Sequence, residues 1–183
     1  MSPLRILHGA RSDRPPALVV DRAGLGRREK VLAFVSDGER WLLGTRLALV
    51  IVGPGDRAET VRLPWETIQA ADWDHDESRL RISEVGEFGR PRASYEFSLV
   101  EPALLLQLIR ERVTASVVLQ RGFLVTGKRG FKVIGRRSPD GGAITWMHEY
   151  DAGVDPDEPD VARVAAEALA QARADVGDVS GTD

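Results

Sequence analysis

The chain has 183 residues, 43% of them hydrophobic and 29% charged, with a formal net charge of −3 and no cysteine. That length suits one domain able to bury its own core, and the lack of cysteine excludes a disulfide framework, a thiolate metal site, an iron–sulfur cluster and a cysteine nucleophile. Charge is uneven: residues 151–183 carry nine acids against two arginines, so the −3 hides a body of +4 and a tail of −7. Residues 1–24 are rich in Arg, Pro and Gly without periodicity and are expected to form a disordered arm. No signal-peptide core and no run of about 18 apolar residues is present, so a soluble, cytoplasmic protein without a membrane span is expected.

From Arg28 onward short strand-like runs alternate with turn signals. Lys30–Val35, Arg40–Gly44, Ala48–Gly53 and Glu59–Leu63 are separated by Ser36-Asp37-Gly38, Thr45-Arg46-Leu47 and Pro54-Gly55-Asp56. Pro64 interrupts before Ile68–Trp73 resumes, because proline cannot donate to a ladder. Asp74–Glu77 is expected to be a hairpin loop, Arg79–Val85 alternates with Leu80 and Ile82 on one face, and Tyr95, Phe97 and Leu99 alternate in a seventh run.

Glu101–Arg121 is the first long segment with helical period. Pro102 suits a first turn and Glu101 suits a cap at the positive end of the dipole. Leu104, Leu105, Leu106, Leu108, Ile109, Val113 and Val117 cover one broad arc, while Arg112, Ser116 and Gln120 fall inside it and are expected to meet something polar in the segment that follows. That segment, 122–150, reads as a β-hairpin extension with Ser138–Gly142 as its turn. An acidic linker over 151–160, a peripheral alanine-rich helix over 161–176 capped by Asp160, and a disordered tail over 177–183 complete the chain.

The expected fold is therefore α+β, mainly β, with about seven antiparallel strands, a capping helix at 101–121, a C-terminal hairpin and a peripheral helix. The stretches KVLAFVSDGERWLLGTRLALVIV, RLPWETIQAADWD and YEFSLVEPALLLQLIRERVTASVVLQR resemble a family of uncharacterised actinobacterial proteins with a pleckstrin-homology-like (PH-like) barrel, over roughly residues 25–150. Arg62-Leu63-Pro64-Trp65, Ala71-Asp72-Trp73-Asp74 and the run Arg110–Ser116 carry the resemblance. It implies the barrel, at residues 25–121, and no established activity. In phosphoinositide-binding members of this fold the first loop carries clustered bases; here it is Ser36-Asp37-Gly38-Glu39-Arg40, and its two acids argue against such a ligand.

Motifs that carry chemistry are few. Gly122 with Gly127-Lys128 fits the start of a phosphate-binding loop, but Arg129 replaces the required Ser or Thr and a strand follows where a helix is needed, so a strand connection is expected. Asp72, Asp74 and Asp76 alternate like a calcium loop, yet Glu77 and Ser83 stand where Gly and Glu are needed. His8, His75 and His148 show no ligand spacing, and no metal or cofactor is expected. Arg121, Lys128, Arg129, Lys132, Arg136 and Arg137 form an acid-free basic segment with Phe123 and Phe131 among them, a candidate anion or nucleic-acid contact. The competing expectation is a hairpin neutralised by the protein's own acids, Asp155–Asp160 among them. The leading functional expectation is a non-catalytic binding or scaffold domain with a protein or peptide partner. Two alternatives are weak phosphate or nucleic-acid binding through 121–137 and a small enzyme with a pocket near Trp146, His148 and Tyr150.

Overall fold

A computed structural model describes residues 14–55, 59–86 and 93–178. It is α+β and mostly β, with three antiparallel sheets and three α-helices. In chain order these are α1 (Ala17–Arg22), β1 (Ala33–Ser36), β2 (Trp41–Gly44), β3 (Ala48–Val52) and β4 (Thr60–Pro64), then, after a 3₁₀ turn at Trp65–Thr67, β5 (Ile68–Asp74), β6 (Arg79–Glu84) and β7 (Ser94–Ser98). The chain continues through α2 (Ala103–Ser116), β8 (Val117–Thr126), β9 (Arg129–Arg136), β10 (Thr145–Tyr150) and α3 (Pro159–Asp175).

The first sheet has the order β1-β2-β3-β4, the second β5-β6-β7 and the third β10-β9-β8. The expected seven strands before the helix are all present. They do not close into a barrel among the described residues, since no strand of the first sheet pairs with one of the second. Pro64 ends β4 without an N–H to offer, and the 3₁₀ turn re-aims the chain before β5 begins. At the opposite corner a side chain bridges the sheets: Arg40 Nη2 donates to the Glu96 carbonyl at 2.6 Å.

The main core lies between these two sheets and α2. Leu42, Leu49, Leu63, Ile68, Leu80, Ile82 and Phe97 meet Leu105, Leu108 and Ile109 of the helix. Trp65 is fully buried there, its indole N–H donating to the Thr45 carbonyl at 3.2 Å. Gly44 gives α2 its close seat on β2, because a Cβ there would stand 2.6 Å from a Leu108 methyl.

Several boundaries differ from the sequence reading. The helix expected over 101–121 ends at Ser116, and Val117–Arg121 belong to β8. Those residues satisfy both periods, and pairing with β9 decides between them. Glu101 is not the cap: Pro102 holds that position, and Glu101 sits at φ +52 just before it. Leu104, on the expected apolar arc, is 74% exposed. Within the expected N-terminal arm, Ala17–Arg22 are helical, and Val19 and Ala23 pack on Leu43, Val50 and Val52 of the first sheet's outer face. Residues 1–13 lie outside the described set. Glu158, not Asp160, caps α3, with Pro159 in the first turn where its missing N–H costs nothing. Of the expected tail only Gly177 and Asp178 are described.

Candidate functional site

Two adjoining grooves lie beside the second sheet. Thr67 Oγ1 donates to the Pro64 carbonyl at 2.8 Å and tightens the turn from which β5 departs. Among the described residues β5 then pairs with β6 on one side only, which leaves its other edge open to a new strand. Small residues, Ala70 and Ala71, occupy the middle of β5, and α2 runs alongside. The space left between them is about 640 Å³, with Trp73, Leu106, Ile109 and Val113 as apolar wall and Gln69, Gln107, Arg110 and Thr114 as polar lip. A second groove of about 740 Å³ shares Trp73 and Leu106 with the first and continues past Phe34, Leu99 and the exposed Val100 and Leu104 at the start of α2.

The outer face of the second sheet is polar. Asp72 stands opposite Arg81 and Asp74 opposite Arg79, while Arg81 bonds Glu96 on β7. The Arg81 hydrogen bonds and charge, with a smaller contribution from Arg79, hold the Glu96 carboxyl below the ordinary range. At the hairpin tip Asp74 Oδ1 accepts N–H groups from Asp76 and Glu77, each at 3.0 Å, so the alternating aspartates build a turn. Among the described residues no three His, Asp or Glu side chains are placed to hold a metal ion.

The β1–β2 loop commits its one base internally. Asp37 Oδ1 accepts the backbone N–H groups of Glu39 and Arg40, and Asp37 Oδ2 accepts Arg40 Nε at 2.8 Å. Burial alone would raise the Asp37 carboxyl; these bonds and the Arg40 charge outweigh it and leave it lowered. The Arg40 guanidinium also lies over the Phe97 ring at 4.3 Å.

The six bases of the candidate anion segment are not gathered on one surface. Arg121, opposite Val133, lies on the α3 side of the third sheet, 2.5 Å from Asp175. Lys132, opposite Glu149, lies on the other side, 3.8 Å from that carboxylate. Arg136 is buried and donates to the Val113 carbonyl at 3.3 Å and to Ser116 Oγ at 3.1 Å. Ser116, a polar residue on the helix's apolar arc, thus meets the segment that follows, as expected. Arg129 packs against Gly153, beside the acidic linker, while Lys128 and Arg137 are exposed. Phe131 is buried under α3 and stacks with Phe123, which removes the most buried ring from any role as a base-stacking platform. Gly127 and Lys128 form the tight turn joining β8 to β9, the strand connection expected for the glycine motif.

Trp146, His148 and Tyr150 share one face of β10, as the alternation predicts, and α3 covers it. Trp146 Nε1 donates to Asp178 at 2.7 Å, His148 Nε2 is 3.3 Å from the Ala165 carbonyl, and the His148 and Tyr150 rings stack at 5.8 Å. These contacts tie His148 to α3 and Trp146 to the segment just after it, while Tyr150 stacks on His148. The β5–α2 groove was missed by sequence reasoning; its available signal was Ala70-Ala71 in the middle of a strand otherwise filled by Ile68 and Trp73.

No family model, curated protein or solved structure matches the chain. No helix among the described residues is long and apolar enough to cross a membrane.

Proposed function

We propose that the protein is a non-catalytic binding domain of PH-like fold that takes an extended peptide segment of a protein partner along β5, beside α2. Two sheets of seven short strands followed by a helix that packs on both support the fold assignment. The observation that carries the function is the open edge of β5 along a groove floored by Ala70 and Ala71. An open edge offers N–H and C=O groups to any backbone, and alternate side chains of an added strand then enter the groove. Trp73, Leu106, Ile109 and Val113 suit aliphatic or aromatic anchors, and the exposed Arg110 at the lip suits a carboxylate.

The test is selection of binders from a displayed library of unstructured peptides, followed by calorimetry on wild type and Ala71→Arg. That substitution fills the groove and is expected to weaken the selected peptides at least roughly tenfold, about 1.4 kcal/mol, with an unchanged circular dichroism spectrum. Failure to select any peptide, or equal binding to both proteins, refutes the reading.

A further inference from the structure

We infer that a second copy of this chain pairs with β8, joining two third sheets into one six-stranded antiparallel sheet about a two-fold axis at Gly122. This stands apart from the peptide groove, which is on a different sheet. β8 has ten residues and, among the described residues, only β9 as a neighbour. Of the other outer strands, β1 has four residues, β4 ends on Pro64, β7 presents Glu96 paired with Arg81, β10 presents Glu149 beside Lys132, and β5 opens onto the peptide groove. Such devices keep edges from pairing, and the regular part of β8 lacks them. Its two bulges, at Val117/Leu119 and Leu124/Thr126, lie at the ends and leave Leu119–Leu124 regular.

The one charge in that run is Arg121, and Asp175 of α3 draws it onto the covered face of the sheet. Charge also selects the register. A two-fold at Arg121 would set two guanidinium groups opposite each other, which is unfavourable. A two-fold at Gly122 instead sets Arg121 opposite Phe123 of the other copy and Gln120 opposite Leu124. Leu124 is 73% exposed on the face away from α3 and gains a cross-strand neighbour there. An axis normal to the sheet keeps both copies of α3 on the same side, as the shared faces require. A Cβ built at Gly122 meets nothing within 4 Å, so the centre of the pairing is open.

The absence of cysteine makes the test clean. Directly opposed residues of antiparallel strands stand about 4.5–5.5 Å apart at Cα, within the range of a disulfide. Full-length protein is expected to sediment at micromolar concentration as twice the 20.1 kDa chain. Gly122→Cys should form a covalent dimer under mild oxidation several-fold faster than the exposed control Glu39→Cys, and Leu124→Arg should shift the protein toward monomer with its fold intact. A monomer throughout the concentration range overturns the inference, as does cross-linking no faster than the control, or a dimer that Leu124→Arg leaves unchanged. Should Gly122→Cys not fold, the Leu124→Arg comparison decides alone.

Discussion

Thr45 is fully buried and serves three segments at once. Its hydroxyl accepts the N–H groups of Leu47 and Ala48 at 3.1 and 3.0 Å and donates to Glu29 at 2.5 Å, while its carbonyl receives the Trp65 indole. Burial alone would raise the Glu29 carboxyl, but the bonds from Arg62 and Thr45 and the Arg62 charge leave it lowered. Thr45→Val keeps the shape but removes the hydroxyl, so that the Leu47 and Ala48 N–H groups lose this acceptor and Glu29 is left with its Arg62 and Gly26 donors. A loss of about 3 kcal/mol in urea unfolding is expected, with the m-value unchanged; a loss below about 0.5 kcal/mol would show that the hydroxyl does not hold these segments together. Sequence reading placed Thr45 in a tight connection, correctly, because turn chemistry is local. That Glu29, far back in the chain, would complete the site has no local signature.

At the scale of the element, α3 shows how a weakly apolar helix docks. Its buried side is Val161, Ala165, Ala168 and Ala172, small enough for the backbone to approach Phe131 and Val133 closely. The spacing of Val161, Val164, Ala165, Ala168 and Leu169 made the helix legible, while its start was misjudged along with its cap: it begins at Pro159, inside the expected linker, and ends at Asp175. Beneath it, burial pushes the His148 imidazole below its ordinary value, with the bond to the Ala165 carbonyl in partial opposition. Tyr150, raised by burial and by Asp157, stays neutral beside it, and the Arg121–Asp175 pair lies on the β8 side of the helix. The folded state therefore favours neutral His148. Its contribution is complete above the unfolded value near 6.5 and is lost as pH falls from there through the folded value. Urea midpoints for wild type should drop between about pH 7.5 and 5.5, and His148→Gln should show a smaller drop. Parallel curves for the two proteins would exclude His148 as the titrating group.

At the scale of the molecule, the first two sheets and the third meet chiefly at the end of α2. Arg136 bonds Val113 and Ser116, the Arg137 N–H donates to the Ser116 carbonyl at 2.8 Å, and Arg46 reaches the Pro139 carbonyl at 3.4 Å. Deleting residues 122–183 removes every one of these partners of α2 and Arg46, and also divides β8. The fragment 1–121 is expected to expose apolar surface and aggregate; a soluble fragment with a cooperative melt would contradict this. Strand number was legible because alternation and turn residues are local signals. Whether the strands close was not, because Pro64 and the 3₁₀ turn act on pairings between distant residues. The end of α2 was hidden for a different reason: Val117–Arg121 fits a helix and a strand equally, and β9 settles it.

β3 lies at the centre of this architecture, every residue of Ala48–Val52 at most 4% exposed, with α2 and the second sheet on one side and α1 on the other. A strand buried on one face is locked in place because a slip by one residue would turn its apolar side to water. β3 is apolar on both sides and has no such lock. Its alignment falls to the neighbours that tolerate no displacement, the Thr45 turn at one end and the Gly44 notch under Leu108. In β3 composition supplies the cohesion, and a hydroxyl and a missing side chain supply the address.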